Sequence, residues 1–302
     1  MSDATRAAAV GRTRVLRAWL DLTKPRIVLL VLFTGLPALL LAGGAPAEPR
    51  VLVGAALGIA LSAASAAAFN HYYDRDIDGL MVRTRLRPLP AGLLPPAAAA
   101  ALGLGLAWGA WVVLTVLCHP LAAVLALASI FYYAVVYTVW LKRRTPLNIV
   151  IGGGAGATAP LIAWAAVTGR VELPAVLMAA VVFFWTPPHF WALSLYRRDD
   201  YERAGLPMLP VTHGEAVTRA QILLHTLVLV AVTLAVGPLA GLGPLYFGTA
   251  AMLGAWMVLE AAQLYRAPST RRAISLFRCS IVYLFLLFLV MTLDALWSLN
   301  VA

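Results

Sequence analysis

Residues 51–92 read VLVGAALGIALSAASAAAFNHYYDRDIDGLMVRTRLRPLPAG. Positions 51–69 carry no charge and approach the roughly 20 apolar residues that a membrane-spanning helix needs. The stretch Asn70–Gly92 that follows puts Asp74, Asp76 and Asp78 within five residues, then Arg83, Arg85 and Arg87. Charge beside hydrocarbon is costly and marks function. On a helix, Asn70, Asp74 and Asp78 are spaced i, i+4, i+8 and share one face. Carboxylates suit a hard cation such as Mg2+, and guanidinium forks suit phosphate. The stretch therefore predicts a site for a magnesium-bound diphosphate at the membrane surface. A plain anionic-lipid contact would explain the arginines but not three aspartates, which would repel the same lipids.

The rest of the chain extends the pattern. Of its 302 residues, 62% are hydrophobic and 12% charged, with a mean hydropathy of +0.86. A soluble domain holds about 45–50% apolar and 25% charged residues, so this is an integral membrane protein. Nine spans are expected, at 27–45, 51–69, 96–117, 121–141, 147–168, 173–195, 220–237, 243–264 and 276–298. Numbered from the N-terminus, the odd aqueous segments hold 21 of the 23 basic residues, and the even ones keep only Arg50 and Arg170. By the positive-inside rule the N-terminus is cytoplasmic and the C-terminus lies outside. The net charge of +10 thus belongs to topology and does not indicate a nucleic-acid partner. Residues 1–26 form a cytoplasmic N-terminal segment without a cleavable signal. Residues 27–298 form one nine-helix domain with functional cytoplasmic loops at 70–95 and 196–219. Seven of the 13 acids fall in those two loops. Cys118 and Cys279 fall near opposite faces, which excludes pairing within the chain.

The second loop continues the theme. Pro187-Pro188 is expected to break or kink the sixth span. Beyond it, Arg197-Arg198-Asp199-Asp200 repeats the mixture of acid and base, so the two loops read as half-sites facing one cavity. Taken alone, that second cluster reads equally as a surface salt-bridge face. Lys142-Arg143-Arg144 adds phosphate contacts or serves topology alone. Gly152-Gly153-Gly154 lacks the Gly-Lys-Ser/Thr ending of a phosphate loop and reads as close helix packing. His189, set among aromatics, suits a metal ligand, an acid/base or a hydrogen-bonded structural residue, the last favoured.

These residues carry a resemblance. Asn70-x3-Asp74-x3-Asp78, with a second acidic loop after the sixth span, resembles the UbiA-type membrane prenyltransferases. Further blocks run nearly end to end: Lys24-Pro25-Arg26, Arg83-Thr84 with Arg87-Pro88-Leu89, Thr145-Pro146-Leu147-Asn148, Pro187-Pro188-His189-Phe190-Trp191 and Pro207-Met208-Leu209-Pro210-Val211. They are similar to the protohaem IX farnesyltransferase (haem O synthase) branch. There is one departure. Many relatives carry a second Asp-x3-Asp, whereas here Tyr196 and Ala204 flank Asp200 at that spacing.

The resemblance implies an all-α bundle of nine transmembrane helices around a central cavity, with helical cytoplasmic caps. It implies transfer of the farnesyl group of farnesyl diphosphate to a vinyl group of haem B, giving haem O and diphosphate, in an inner membrane. Mg2+ is then the cofactor, held by Asn70, Asp74, Asp78 and Asp200, which form the catalytic set. Arg83, Arg87, Lys142 and Arg197 bind diphosphate, and His189 and Trp191 serve haem binding or proton transfer. Membrane lipids surround the chain. A haem-oxidising enzyme, haem A synthase, is a downstream partner by family analogy only. The nearest alternative is a related prenyltransferase acting on a quinone precursor or a chlorophyll-like ring. The other class is a transporter or lipid-binding protein, against which stands the placement of charge at the membrane edge rather than its midplane.

Overall fold

The computed structural model describes residues 3–42 and 48–301. The first two residues of the expected 1–26 segment and the end of the first expected span, 27–45, lie outside the described residues. Among those described, regular structure is helical throughout, and nine stretches are long and apolar enough to cross a bilayer. The chain is a multi-pass membrane protein.

Helix α1 (Asp3–Thr23) meets α2 (Pro25–Leu41) at Lys24, whose φ of 48° is the one left-handed non-glycine conformation among the described residues. That residue breaks the first crossing into two helices, and Pro25 opens the second. Proline starts α3 (Pro49–Leu80), α4 (Pro96–Leu117) and α5 (Pro120–Phe131) in the same way. A first-turn proline loses no hydrogen bond and arrives with helical φ. After α5 the chain winds more widely over Tyr132–Leu141, a π-helical stretch. The fifth crossing is split into α6 (Asn148–Gly156) and α7 (Ala159–Thr168), and α8 (Leu173–Tyr196) is the sixth. Two short helices follow, α9 (Arg198–Arg203) and α10 (Leu209–Thr212). The bundle closes with α11 (Gly214–Leu239), α12 (Pro244–Arg266) and α13 (Thr270–Val301).

Small residues set the packing distances. A Cβ on Gly58 would lie 2.4 Å from Leu114 Cγ, and one on Gly152 would lie 2.3 Å from the Tyr137 ring. The glycine run is therefore a packing surface, as its composition predicts. The core is built from alanines such as Ala55, Ala122, Ala163 and Ala175 with larger plugs such as Ile59, Met178, Tyr283 and Phe288. Large apolar side chains such as Leu104, Trp108, Val116 and Met252 point outward, where lipid tails satisfy them.

Two expectations need correction. The charged stretch from Asn70 is not a loop from its start, because α3 continues to Leu80 before the turns of 81–94 begin. Each of its three carboxylates has a basic partner, Lys142 for Asp74, Arg143 for Asp76 and Arg87 for Asp78, which offsets much of the cost of carrying charge on the helix. Of the break or kink expected at Pro187-Pro188, the break does not occur: α8 runs through both prolines. Proline removes one backbone donor and crowds the preceding turn. Here Trp185, Thr186 and Trp191 of α8 are buried against neighbouring helices, which hold the segment helical.

Candidate functional site

Helix α3 delivers Asn70, Asp74 and Asp78 to one end of the bundle on a single buried face, with Asp74 fully enclosed. Both aspartates there face a base, and Asn70 links Asp74 to a third. Lys142 Nζ donates to Asp74 Oδ2 at 2.5 Å, and Asn70 Nδ2 donates to the same oxygen at 2.6 Å. Arg87 Nη1 donates to both oxygens of Asp78, at 2.8 and 2.7 Å. Lys24 Nζ donates to Asn70 Oδ1 at 2.6 Å. The left-handed turn at Lys24 is what aims that ammonium back at α3.

Neighbouring segments fix these bases. The π-helical stretch closes with a five-residue backbone bond from Lys142 N to Tyr137 O, and the Thr138 hydroxyl donates across the same interval to Tyr133 O. Residues four or five apart then stack on one face, which puts Tyr133, Tyr137, Thr138 and Lys142 toward the site. Arg143 clamps Asp76 with two 2.7 Å bonds and reaches Tyr73 O at 2.9 Å, tying the following turn to α3. On the other side, Thr84 Oγ1 donates to Asp78 O at 2.9 Å and caps α3. Gly92, at φ 67°, closes the turns that carry Arg83 and Arg87.

The two acidic segments do meet. Ile77, Met81, Ile149, Tyr201, Ala204, Leu206 and Met208 form a small apolar cluster between them. Val82 N donates to Asp200 Oδ1 at 3.4 Å, and Arg203 pairs with the same oxygen. Asp200 is buried and Asp199 exposed. Burial pushes the Tyr201 phenol above its ordinary range, so it stays a neutral donor on the wall of the site.

A polar cavity of about 140 Å³ lies at this junction, walled by Lys24, Asn70, Asp78, Arg83, Arg87 and Lys142. The Arg83 guanidinium there has no partner among the described residues. Beneath it are two apolar cavities that share Ile27 and Tyr133 with it. One, of about 270 Å³, reaches Trp185, His189, Phe190 and Leu284. The other, of about 90 Å³, runs along Ile59, Ala63, Ala67 and Ile162. The arrangement is a cationic head compartment with two greasy chambers attached.

The residues fit a hard divalent ion carried in with an anionic ligand. Among the described residues no group of three His, Cys, Asp or Glu side chains forms a metal cage. Mg2+ does not require one, since it commonly binds through one or two carboxylates plus substrate phosphates. Asp74 Oδ1 is buried with no hydrogen-bond partner, an anionic oxygen facing no donor. An orphaned carboxylate oxygen in a buried site asks for a cation.

Not every expected residue arrives here. Arg197 is exposed with its guanidinium 5.5 Å from the Tyr196 ring centre, and it lines none of these cavities. It caps α8 at the surface. Trp191 is a core residue that meets His225 edge-on, on the side of α8 away from the apolar cavity. His189, two residues earlier, does line that cavity. Its ring is sandwiched between Trp185 and Phe277, with centroids at 4.3 and 4.6 Å, and Nδ1 bonds to Ser280 Oγ at 2.7 Å. Lys24, Tyr133, Tyr137 and Tyr201 enter the site without having been singled out for a role from composition or spacing. The visible signals for Lys24 were its place before a proline at the start of an apolar run and the Lys24-Pro25-Arg26 block of the resemblance.

Comparison with known proteins agrees with this geometry. Residues 31–292 match the UbiA prenyltransferase family. A protoheme IX farnesyltransferase from Symbiobacterium thermophilum is 50% identical over 286 residues, covering 93% of this chain and 95% of that protein. The solved structure of a digeranylgeranylglyceryl phosphate synthase superposes with a TM-score of 0.79 at 16% identity, covering 94% of this chain and 99% of the other. A UbiA homologue from Archaeoglobus fulgidus bound to DMAPP and Mg2+ gives 0.63 at 16% identity, covering 94% and 99%. The structural likenesses establish the fold, and the sequence match establishes the branch. The chain belongs to the UbiA prenyltransferase family, among the protoheme IX farnesyltransferases.

Proposed function

We propose that the chain transfers the farnesyl group of farnesyl diphosphate to a vinyl group of haem B, giving haem O and diphosphate. The observation that carries this reading is one polar, cation-rich head compartment sharing walls with two apolar chambers, with the relatives' sequence similarity choosing the acceptor. The diphosphate takes the head compartment, where Arg83, Arg87, Lys142 and Lys24 answer its charge. Asn70, Asp74 and Asp78, with Asp200 supplied by the facing α9 segment, would hold the divalent ion. A bound Mg2+ would neutralise the leaving diphosphate and so ease breakage of the allylic C–O bond.

The protein's part is electrostatic and steric. Fixed guanidinium and ammonium groups stabilise charge that grows on the departing diphosphate, in a compartment already organised before reaction. The walls around Tyr133, Ile149 and Phe190 keep water from the allylic cation until the vinyl carbon attacks C1. The new cation lies on the carbon next to the macrocycle. Water adds there and loses its proton, leaving the hydroxyethylfarnesyl side chain. Charge alternation sets this site on the cytoplasmic side, with the C-terminus opposite.

The test is acceptor competition. Membranes containing the chain, given farnesyl diphosphate with haem B or 4-hydroxybenzoate, are expected to prenylate haem alone. Prenylated benzoate with unchanged haem would move the chain to a quinone-precursor role. Chelating divalent metal with EDTA is expected to stop turnover, and added Mg2+ to restore it.

A further inference from the structure

A second basic cleft lies at the same end of the bundle, remote from the head compartment. It is a groove of about 640 Å³ between α12 and α13, walled by Trp256, Thr270, Arg271, Ser275, Arg278 and Val282, with Ile274 and Cys279 behind. On α13, positions 271, 275, 278 and 282 repeat at helical spacing, so the two guanidiniums and the Ser275 hydroxyl share one face. Arg271 and Arg278 are exposed, and among the described residues neither makes an ion pair or hydrogen bond. The single acid on α12, Glu260, is not among the walls. Toward the bilayer the groove turns apolar, with Trp256 38% and Val282 40% exposed.

From this geometry we infer an anionic-phospholipid site: the phosphate and headgroup sit on Arg271, Arg278, Thr270 and Ser275, and an acyl chain lies along Trp256 and Val282. Two cations without a protein partner at the edge of hydrocarbon offer a seat for an anion, and a phospholipid is the ligand that supplies one with its own apolar tail. A free phosphate would leave the lower half of the groove unused. The other face of α13 carries Phe277 and Ser280 against His189.

Native mass spectrometry of the detergent-purified full chain tests this. Phosphatidylglycerol is expected to bind about 30-fold more weakly to an R271Q/R278Q double variant than to wild type, from the surface attraction typical of two basic residues. Phosphatidylcholine is expected to bind both alike, and R271K/R278K to keep most of the phosphatidylglycerol affinity. Equal phosphatidylglycerol binding by wild type and the Gln variant would overturn the proposal. So would full displacement of the lipid by inorganic phosphate, which would mark a free-anion site. A measurement that needs no arginine variant is Trp256 fluorescence, read as wild type minus W256F. Brominated phosphatidylglycerol is expected to quench it more than brominated phosphatidylcholine, and equal quenching would count against the site.

Discussion

Asp74 concentrates the chemistry at the scale of single residues. One of its oxygens is shared by Lys142 and Asn70, while the other is buried and faces no donor. Replacing it with Asn keeps shape and the Asn70 neighbour but deletes the anion. Asp74→Asn is expected to lower turnover by about 10²–10³-fold, the usual consequence of losing one preorganised electrostatic group. Haem product per unit of chain in membranes, with the amount of chain measured by immunoblot, checks this, and wild-type turnover would remove Asp74 from the site. Arg197→Gln is the matched control. Its guanidinium lies on the surface over Tyr196, so turnover within about twofold of wild type is expected, as for surface substitutions generally. The spacing of Asn70, Asp74 and Asp78 was readable because helical periodicity puts i, i+4 and i+8 on one face. Lys24 was not, because its role depends on a left-handed turn that aims it across to α3. Nor was the fate of Trp191, since adjacent aromatics on a helix point in different directions and nothing local says which one meets a cavity.

Helices in this chain are spaced by what their glycines allow. Gly152 lets α6 approach the π-helical stretch so closely that a Cβ would sit 2.3 Å from Tyr137. Gly152→Ala is expected to destabilise the protein by about 1–3 kcal/mol, the usual cost of overpacking, and to push Tyr137 into the cavities it lines. A lowered melting temperature in detergent together with reduced turnover is the expected pair. An unchanged melting temperature would mean that Tyr137 swings away freely. The positions of the crossings were legible from runs of apolar residues, and the observed helices overlap every expected span. Their ends were less so. Polar residues mark a membrane boundary only when unpaired, and α3 carries its paired acids to Leu80. The prolines of α8 misled for a related reason: tertiary burial holds a helix that local rules would interrupt. Wide winding over Tyr132–Leu141 had no signature in the sequence, yet it sets Lys142 against Asp74.

The whole molecule joins a charged compartment at one end of the bundle to apolar space within it. That division matches a substrate with an ionic head and a hydrocarbon tail, and an acceptor that is itself largely apolar. It was foreshadowed by the sorting of 21 of 23 basic residues to one side of the membrane, which charge counting alone reveals. The choice of haem as acceptor came from sequence blocks shared with relatives, because a cavity lined by Trp185, His189 and Phe190 would admit other flat rings. The product therefore tests the account most directly. Haem is extracted from cells with and without the chain, in a host lacking any other haem-modifying activity, and weighed by mass spectrometry. The account predicts a second haem in the cells with the chain, heavier than haem B by the elements of farnesol and reduced to a trace in those carrying Asp74→Asn. Haem B alone, in cells whose membranes hold normal amounts of the wild-type chain, would contradict it.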